Sequence, residues 1–283
     1  MTGEVRTAGY QRPRGKDRRG VEVVVVGLLT SVLLLCLMVW LDNVHINTTN
    51  GLWKSVDIND WKADFHGTRL DPSNYLYFPL MAALCRLLDW LGVYSDQTWK
   101  QMAVVSAAFA GVAVASVFAL IRNLTGQFYA AAAAAIFHLG CAFFLSLAVS
   151  NEDIMPSYTL VLVAMVLAAV WFNAPSAARV ASVSAIFTLG WLTEWRLIFP
   201  ALPPLILALA LSSGSIRRRA GLIFWFLLVM VAVAFLVVKC TEGHPGAVGL
   251  PGVLWTGKGV GTGWGGFSLE KLKEALQRSA EIH

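Results

Sequence analysis

Asp42 follows Trp40 and Leu41 directly, at the end of a long apolar run. A carboxylate held beside a bilayer loses part of its hydration. Its pKa then rises toward working pH, which suits it to take a proton from a hydroxyl group. The same position also suits a residue that only caps a helix or marks the polar boundary. His45, Asp57, Asp60, Asp64, His66, Arg69 and Asp71 follow in one polar stretch. Glu152 and Asp153 form a second candidate, two adjacent carboxylates between apolar runs. Such a pair can hold a divalent cation (Mg or Mn) together with Asp42 and a substrate phosphate. It can equally be a solvated loop, with Asp153 favoured near a helix start. Arg196 is the third, in the turn Thr193, Glu194, Trp195, Arg196 between two short apolar runs. At headgroup depth its guanidinium can grip a phosphate with two donors, or it can snorkel as an anchor beside Trp191 and Trp195.

Other reactive residue types show no pattern. His45, His66, His138 and His244 lack any metal-ligand spacing, and His138, inside an apolar run, reads as a packing residue. The four cysteines form no C-x-x-C and read as free thiols embedded in the membrane, although Cys85 and Cys240 could pair. Asn47, Thr48 and Thr49 form an acceptor-type glycosylation sequence.

The elements that must position these residues are apolar helices. Hydrophobic residues make up 57% of the 283 and charged residues only 14%, against about half and a quarter in soluble domains. The apolar blocks are continuous and rich in Ala, Leu and Val, which excludes the short alternating strands of a membrane barrel. An all-α membrane protein is predicted, with about seven transmembrane helices at 21–41, 102–121, 128–149, 154–172, 180–191, 197–211 and 221–238. Pro200, Pro203 and Pro204 invite kinks in the sixth. Residues 1–20 form a basic tail, 21–238 the multi-pass module, and 239–283 a glycine-rich tail ending in a short helix.

The segment 75–93 decides the topology. Arg86 and Asp89 share one helical face there, and the insertion scale assigns each about 2.5–3.5 kcal/mol at midplane. An amphipathic helix lying in the interface avoids that cost. With this segment uncrossed, Arg122, Arg179 and Arg217 to Arg219 fall on the side of the basic tail. The long loop 42–100, the 151–153 loop, the 194–196 turn and the C-terminal tail fall opposite, with 14 of the 17 acidic residues. The positive-inside rule then makes the N-terminus cytoplasmic and the C-terminus extracytoplasmic. The net charge of +5 belongs to this asymmetry and to the lipid bilayer as partner, not to nucleic acid.

One span ends in Leu41-Asp42, and a polar outer loop leads into the amphipathic helix beginning Tyr77, Phe78, Pro79, Leu80. The third span exits into Ser150 to Asp153 and re-enters through Pro156, Ser157 and Tyr158. The turn 193–196 is followed by prolines, and Gly263, Trp264 and Gly265 lead into a helix. This order of parts resembles the GT-C glycosyltransferases, integral membrane enzymes that use polyprenyl-phosphate-linked sugars, and the last feature is similar to their bacterial protein O-mannosyltransferase-like members. The resemblance implies a bacterial plasma-membrane enzyme moving a sugar from a polyprenyl-phosphate donor to a glycan, lipid or protein acceptor, with inversion. Asp42 would be its catalytic base, Arg196 and Arg69 would bind the donor phosphate, and Glu152 and Asp153 would support a metal or the acceptor. Asp42 is followed by Asn43, where several subfamilies carry a second acidic residue. The chain stops at His283 where relatives continue, so an N-terminal transmembrane module is expected. The competing classes are a transporter or lipid flippase, and a non-catalytic membrane subunit. The second, third, fourth and seventh spans lack acidic and basic residues, which favours chemistry at the rim over passage.

Overall fold

The computed structural model describes residues 16–41, 49–64, 70, 75–95, 97–149, 154–194, 198–244, 247 and 249. Among them the ordered elements are all helices: α1 Lys16–Leu41, α2 Thr49–Ala63, α3 Tyr77–Trp90, α4 Thr98–Thr125, α5 Phe128–Leu139, α6 Ala142–Val149, α7 Ile154–Trp171, α8 Ala177–Thr193, α9 Ile198–Ala210 and α10 Ile216–Cys240. Four are long and apolar enough to cross a membrane: α1 over Arg19–Trp40, α4, α7 and α10. The apolar helices α5, α8 and α9 are shorter. At 1.5 Å per residue the 17 residues of α8 reach about 26 Å, and the 13 of α9 about 20 Å. A hydrocarbon core is about 30 Å thick.

The expected continuous helix over 128–149 is a correction. The chain forms α5 and α6 instead, separated by Gly140 and Cys141. The Gly140 N–H still bonds to the Ile136 carbonyl at 2.8 Å, closing the last turn of α5. Glycine is a poor helix former, and His138 just before it packs its ring 4.3 Å from Phe144 across the break. A second departure is α2, a helix within the stretch read only as a polar loop. Its inward residues are Lys54, Ser55, Ile58 and Trp61. The helical period is present, but half of the buried face is polar, and a hydropathy scan passes over it.

The packing directions sort the helix ends. Glu22 meets Arg122 at 3.0 Å, Gly27 faces Gly111 and Ala115, and Met38 packs with Ala103, so α1 and α4 are antiparallel. Ser157 donates to the Gly190 carbonyl at 2.6 Å and Arg179 to that of Ala174, which sets α7 against α8. Helices α8 and α10 run in the same direction. Trp225 bonds the Ala177 carbonyl, Ser184 bonds that of Phe226, and the far ends of both helices meet the turn at 75–76. One end of the bundle therefore carries Arg122, Arg179 and Arg217 to Arg219. The other carries α2, α3 and the first turn of α4. Exposed Leu28, Leu29, Phe137, Phe224 and Leu236 give the sides the apolar surface that lipid covers.

Candidate functional site

The site is built at the α2–α3 end. Helix α3 is 14 residues long, about 21 Å, and buries Tyr77, Phe78, Met81, Ala82 and Cys85. The two charges on this segment are both satisfied. Asp89 pairs with Lys62 of α2 at 2.6 Å and accepts from Gln101 Nε2 of α4 at 2.6 Å. Lys62 also donates to Thr98 Oγ1 and Gln101 Oε1, and Thr98 donates to Asn59. Arg86 Nε and Nη2 reach the Lys62 carbonyl near the C-terminus of α2. One long helix, α4, and two short ones, α2 and α3, are thus tied by a network in which each charge has a partner. Burial pushes the Asp89 carboxyl up, but hydrogen bonds from Lys62 and Gln101 and the Lys62 charge outweigh it, so its pKa is lowered. Beneath it, burial pushes the Cys85 thiol up to about 12, with Lys62 lowering it and Asp89 raising it. A thiol held protonated in this way is unreactive.

A second polar layer joins α2, α8 and α10. Tyr75 and Thr241 share a hydrogen bond of 2.6 Å, and the Leu76 N–H bonds the Leu192 carbonyl at 2.9 Å. Trp61 stacks on His244 with ring centroids 5.1 Å apart. The Lys54 ammonium lies over the Tyr77 ring at 5.7 Å, a cation–π contact. Glu194, which follows α8, is only 1% exposed, and its N–H bonds the Gly190 carbonyl at 3.2 Å. Trp191 is buried beside it, and its Nε1 has no acceptor among the described residues. The sequence singles out Glu194 and His244 without joining them, and does not by itself mark Lys54, Lys62, Gln101 or Thr241 as site residues. The available signal was the spacing of Lys54, Ile58 and Trp61, one face of an unread helix.

The candidates Asp42, Arg69, Glu152, Asp153 and Arg196 all lie outside the described residues. Their neighbours in the chain are described, and they end at one face. Helix α1 stops at Leu41 and α7 starts at Ile154. Leu34, Val149 and Met155 from these stretches share one apolar cluster. Leu70 lies in a second cluster with Trp191 and Leu192. Among the described residues no group of three or more His, Cys, Asp or Glu converges to hold a metal. The catalytic and metal assignments rest on residues beyond them. His138 has the packing role expected of it, between Phe144 and Tyr158, with Nε2 3.3 Å from the Tyr158 hydroxyl. All four cysteines are free. No protein-family model, curated protein or solved structure matches the chain.

Proposed function

We propose that this chain is the membrane module of a glycosyltransferase of the GT-C type, moving a sugar from a polyprenyl-phosphate donor to an acceptor hydroxyl at the extracytoplasmic face. The observation that carries the reading is the gathering of the ends of α1, α7 and α8 at the end occupied by α2 and α3, opposite the end that carries Arg122, Arg179 and Arg218. The reading takes α5 with α6, α8 and α9 as further crossings, seven in all, made complete by tilt, local thinning or flanking residues. It takes α3 as an interfacial helix, in keeping with its short reach and its paired charges. The N-terminus is then cytoplasmic, with the arginine end.

In this reading Asp42 takes the proton of the acceptor hydroxyl as its oxygen bonds the anomeric carbon. The bond from that carbon to the phosphate oxygen breaks on the opposite side, which inverts the centre. The electron pair leaves on the polyprenyl phosphate, where Arg196 and Arg69 meet the added charge with charge-assisted hydrogen bonds. Glu152 and Asp153 orient the acceptor hydroxyl. With Asp42 they would also offer an all-carboxylate donor set, the hard oxygen chemistry that Mg or Mn takes. A cation held there would neutralise phosphate charge, and the steps above run on the chain's own side chains.

The test is sugar transfer by the purified full chain, using a polyprenyl-phospho-sugar donor and following the released lipid phosphate. Asp42→Asn should lower turnover by about 10²–10⁴-fold, the worth of a general base, with unchanged expression and unchanged donor binding. Wild-type turnover in that variant would overturn the assignment. Mass spectrometry of co-purifying lipid separates the classes: a bound polyprenyl-phospho-sugar agrees with the proposal, and a bound solute with no lipid donor contradicts it.

A further inference from the structure

The end that carries Arg179 and Arg217 to Arg219 has a chemistry of its own, independent of sugar transfer. The α7–α8 and α9–α10 turns lie side by side there, joined by the Ser213 hydroxyl on the Asn173 carbonyl at 2.8 Å. Arg179 Nη1 donates to the Ala174 carbonyl at 3.1 Å. Arg218 Nη2 donates to that of Pro175 at 3.1 Å, and Arg219 Nη1 to that of Ala210 at 3.2 Å. Gly214, at φ +128, makes room for Arg218, whose Cδ would be 3.1 Å from a Cβ at that position. Each guanidinium is fixed by a carbonyl through one of its five donors and keeps others for a further acceptor. Arg217 is exposed and makes no hydrogen bond or ion pair among the described residues.

This concentration of charge is not balanced among the described residues. Neither α8 nor α10 has an acidic residue in its first turn. Glu22, the acidic side chain described at this end, is taken by Arg122 at 3.0 Å. Cations in a first turn also stand where the helix dipole disfavours them. An anion outside the chain resolves both conflicts. Its nature follows from the neighbouring surface: exposed Ile216, Leu211 and Phe224 put apolar area beside the arginines. Trp225 bonds the Ala177 carbonyl at the start of α8, and tryptophan is a side chain that favours the membrane interface. Phosphate beside hydrocarbon is the chemistry of a phospholipid.

We propose that the rim formed by Arg179, Arg217, Arg218 and Arg219 binds the phosphodiester headgroups of anionic phospholipids in the leaflet at that end. The acyl chains lie along Phe224 and its neighbours on α10. In the test, the full chain in neutral detergent is delipidated and titrated with dioleoyl phosphatidylglycerol or phosphatidylcholine, and bound lipid is counted by native mass spectrometry. Phosphatidylglycerol should bind roughly tenfold or more tightly. Arg217→Gln should weaken it about fivefold, the worth of one arginine at an anionic surface, and Arg217→Gln with Arg179→Gln should weaken it further. Lys239→Gln, at the opposite end, should have no effect. Arg217 has no described protein partner, so its variant should fold, which a matching unfolding midpoint confirms. Equal binding of the two lipids, wild-type affinity in Arg217→Gln, or an equal loss in Lys239→Gln would overturn the proposal. So would displacement of phosphatidylglycerol by inorganic phosphate at matched ionic strength, which would mark a free-anion site.

Discussion

Asp89 is the residue on which the α2–α3 end turns. It was legible in the sequence as a charge too costly to bury at midplane, but its partners were not, because Lys62 and Gln101 lie 27 and 12 positions away on separate helices. Only their packing makes the cost disappear. Asp89→Asn leaves Lys62 without its ion pair and should lower stability by roughly 1–2 kcal/mol, since the Asp89 side chain is 29% exposed and water screens part of the interaction. The pH dependence has a definite sign. The folded-state pKa is lowered, so the stabilisation is complete above the ordinary carboxylate range and is lost as pH falls through the lowered value, below about pH 4. Thermal unfolding in detergent between pH 7 and pH 3 should show an acid loss that is smaller in Asp89→Asn. Identical acid limbs would assign the loss to other carboxylates.

Among the elements, the contact of α1 with α4 is the most sensitive. A methyl group on Gly111 would sit 1.9 Å from Ser31 Oγ and 2.8 Å from the Gly27 carbonyl oxygen. The hydroxyl can rotate away but the carbonyl cannot, so α1 must move off α4. Small residues permit such close helix approach in membranes, and overfilling it should cost about 1–3 kcal/mol. Gly111→Ala should therefore lower the unfolding midpoint, and adding Ser31→Ala should fail to restore it. Recovery in the double variant would show that the serine alone sets the limit. The apolar helices themselves were legible from hydropathy, α1, α4, α7 and α10 within several residues of their ends. The break at Gly140 was not, because its flanks, Ile136 to Leu139 and Ala142 to Leu145, are as apolar as any unbroken span. Helix α2 was not, because Lys54 and Ser55 occupy its inner face.

For the whole molecule, alternating charge foresaw which helix ends lie together, and the packing of Arg122, Arg179 and Arg218 at one end agrees with it. Charge sidedness is a long-range property written in loop composition. Site geometry depends on side chains of distant segments, and so Asp42, Glu152 and Arg196 could be named but not related in space. In the proposed arrangement the segments bearing these residues face one side of the membrane, opposite the end that carries Arg179 and Arg218. Replacing Cys36, Cys85, Cys141 and Cys240 with serine or alanine allows single cysteines to be placed by Asn43→Cys, Asn151→Cys and Ser213→Cys. Labelling with a membrane-impermeant maleimide in intact cells then reads each side directly. Positions 43 and 151 should label in intact cells, and position 213 only after permeabilisation. Labelling of 43 without 151, or of 151 together with 213, would contradict that arrangement.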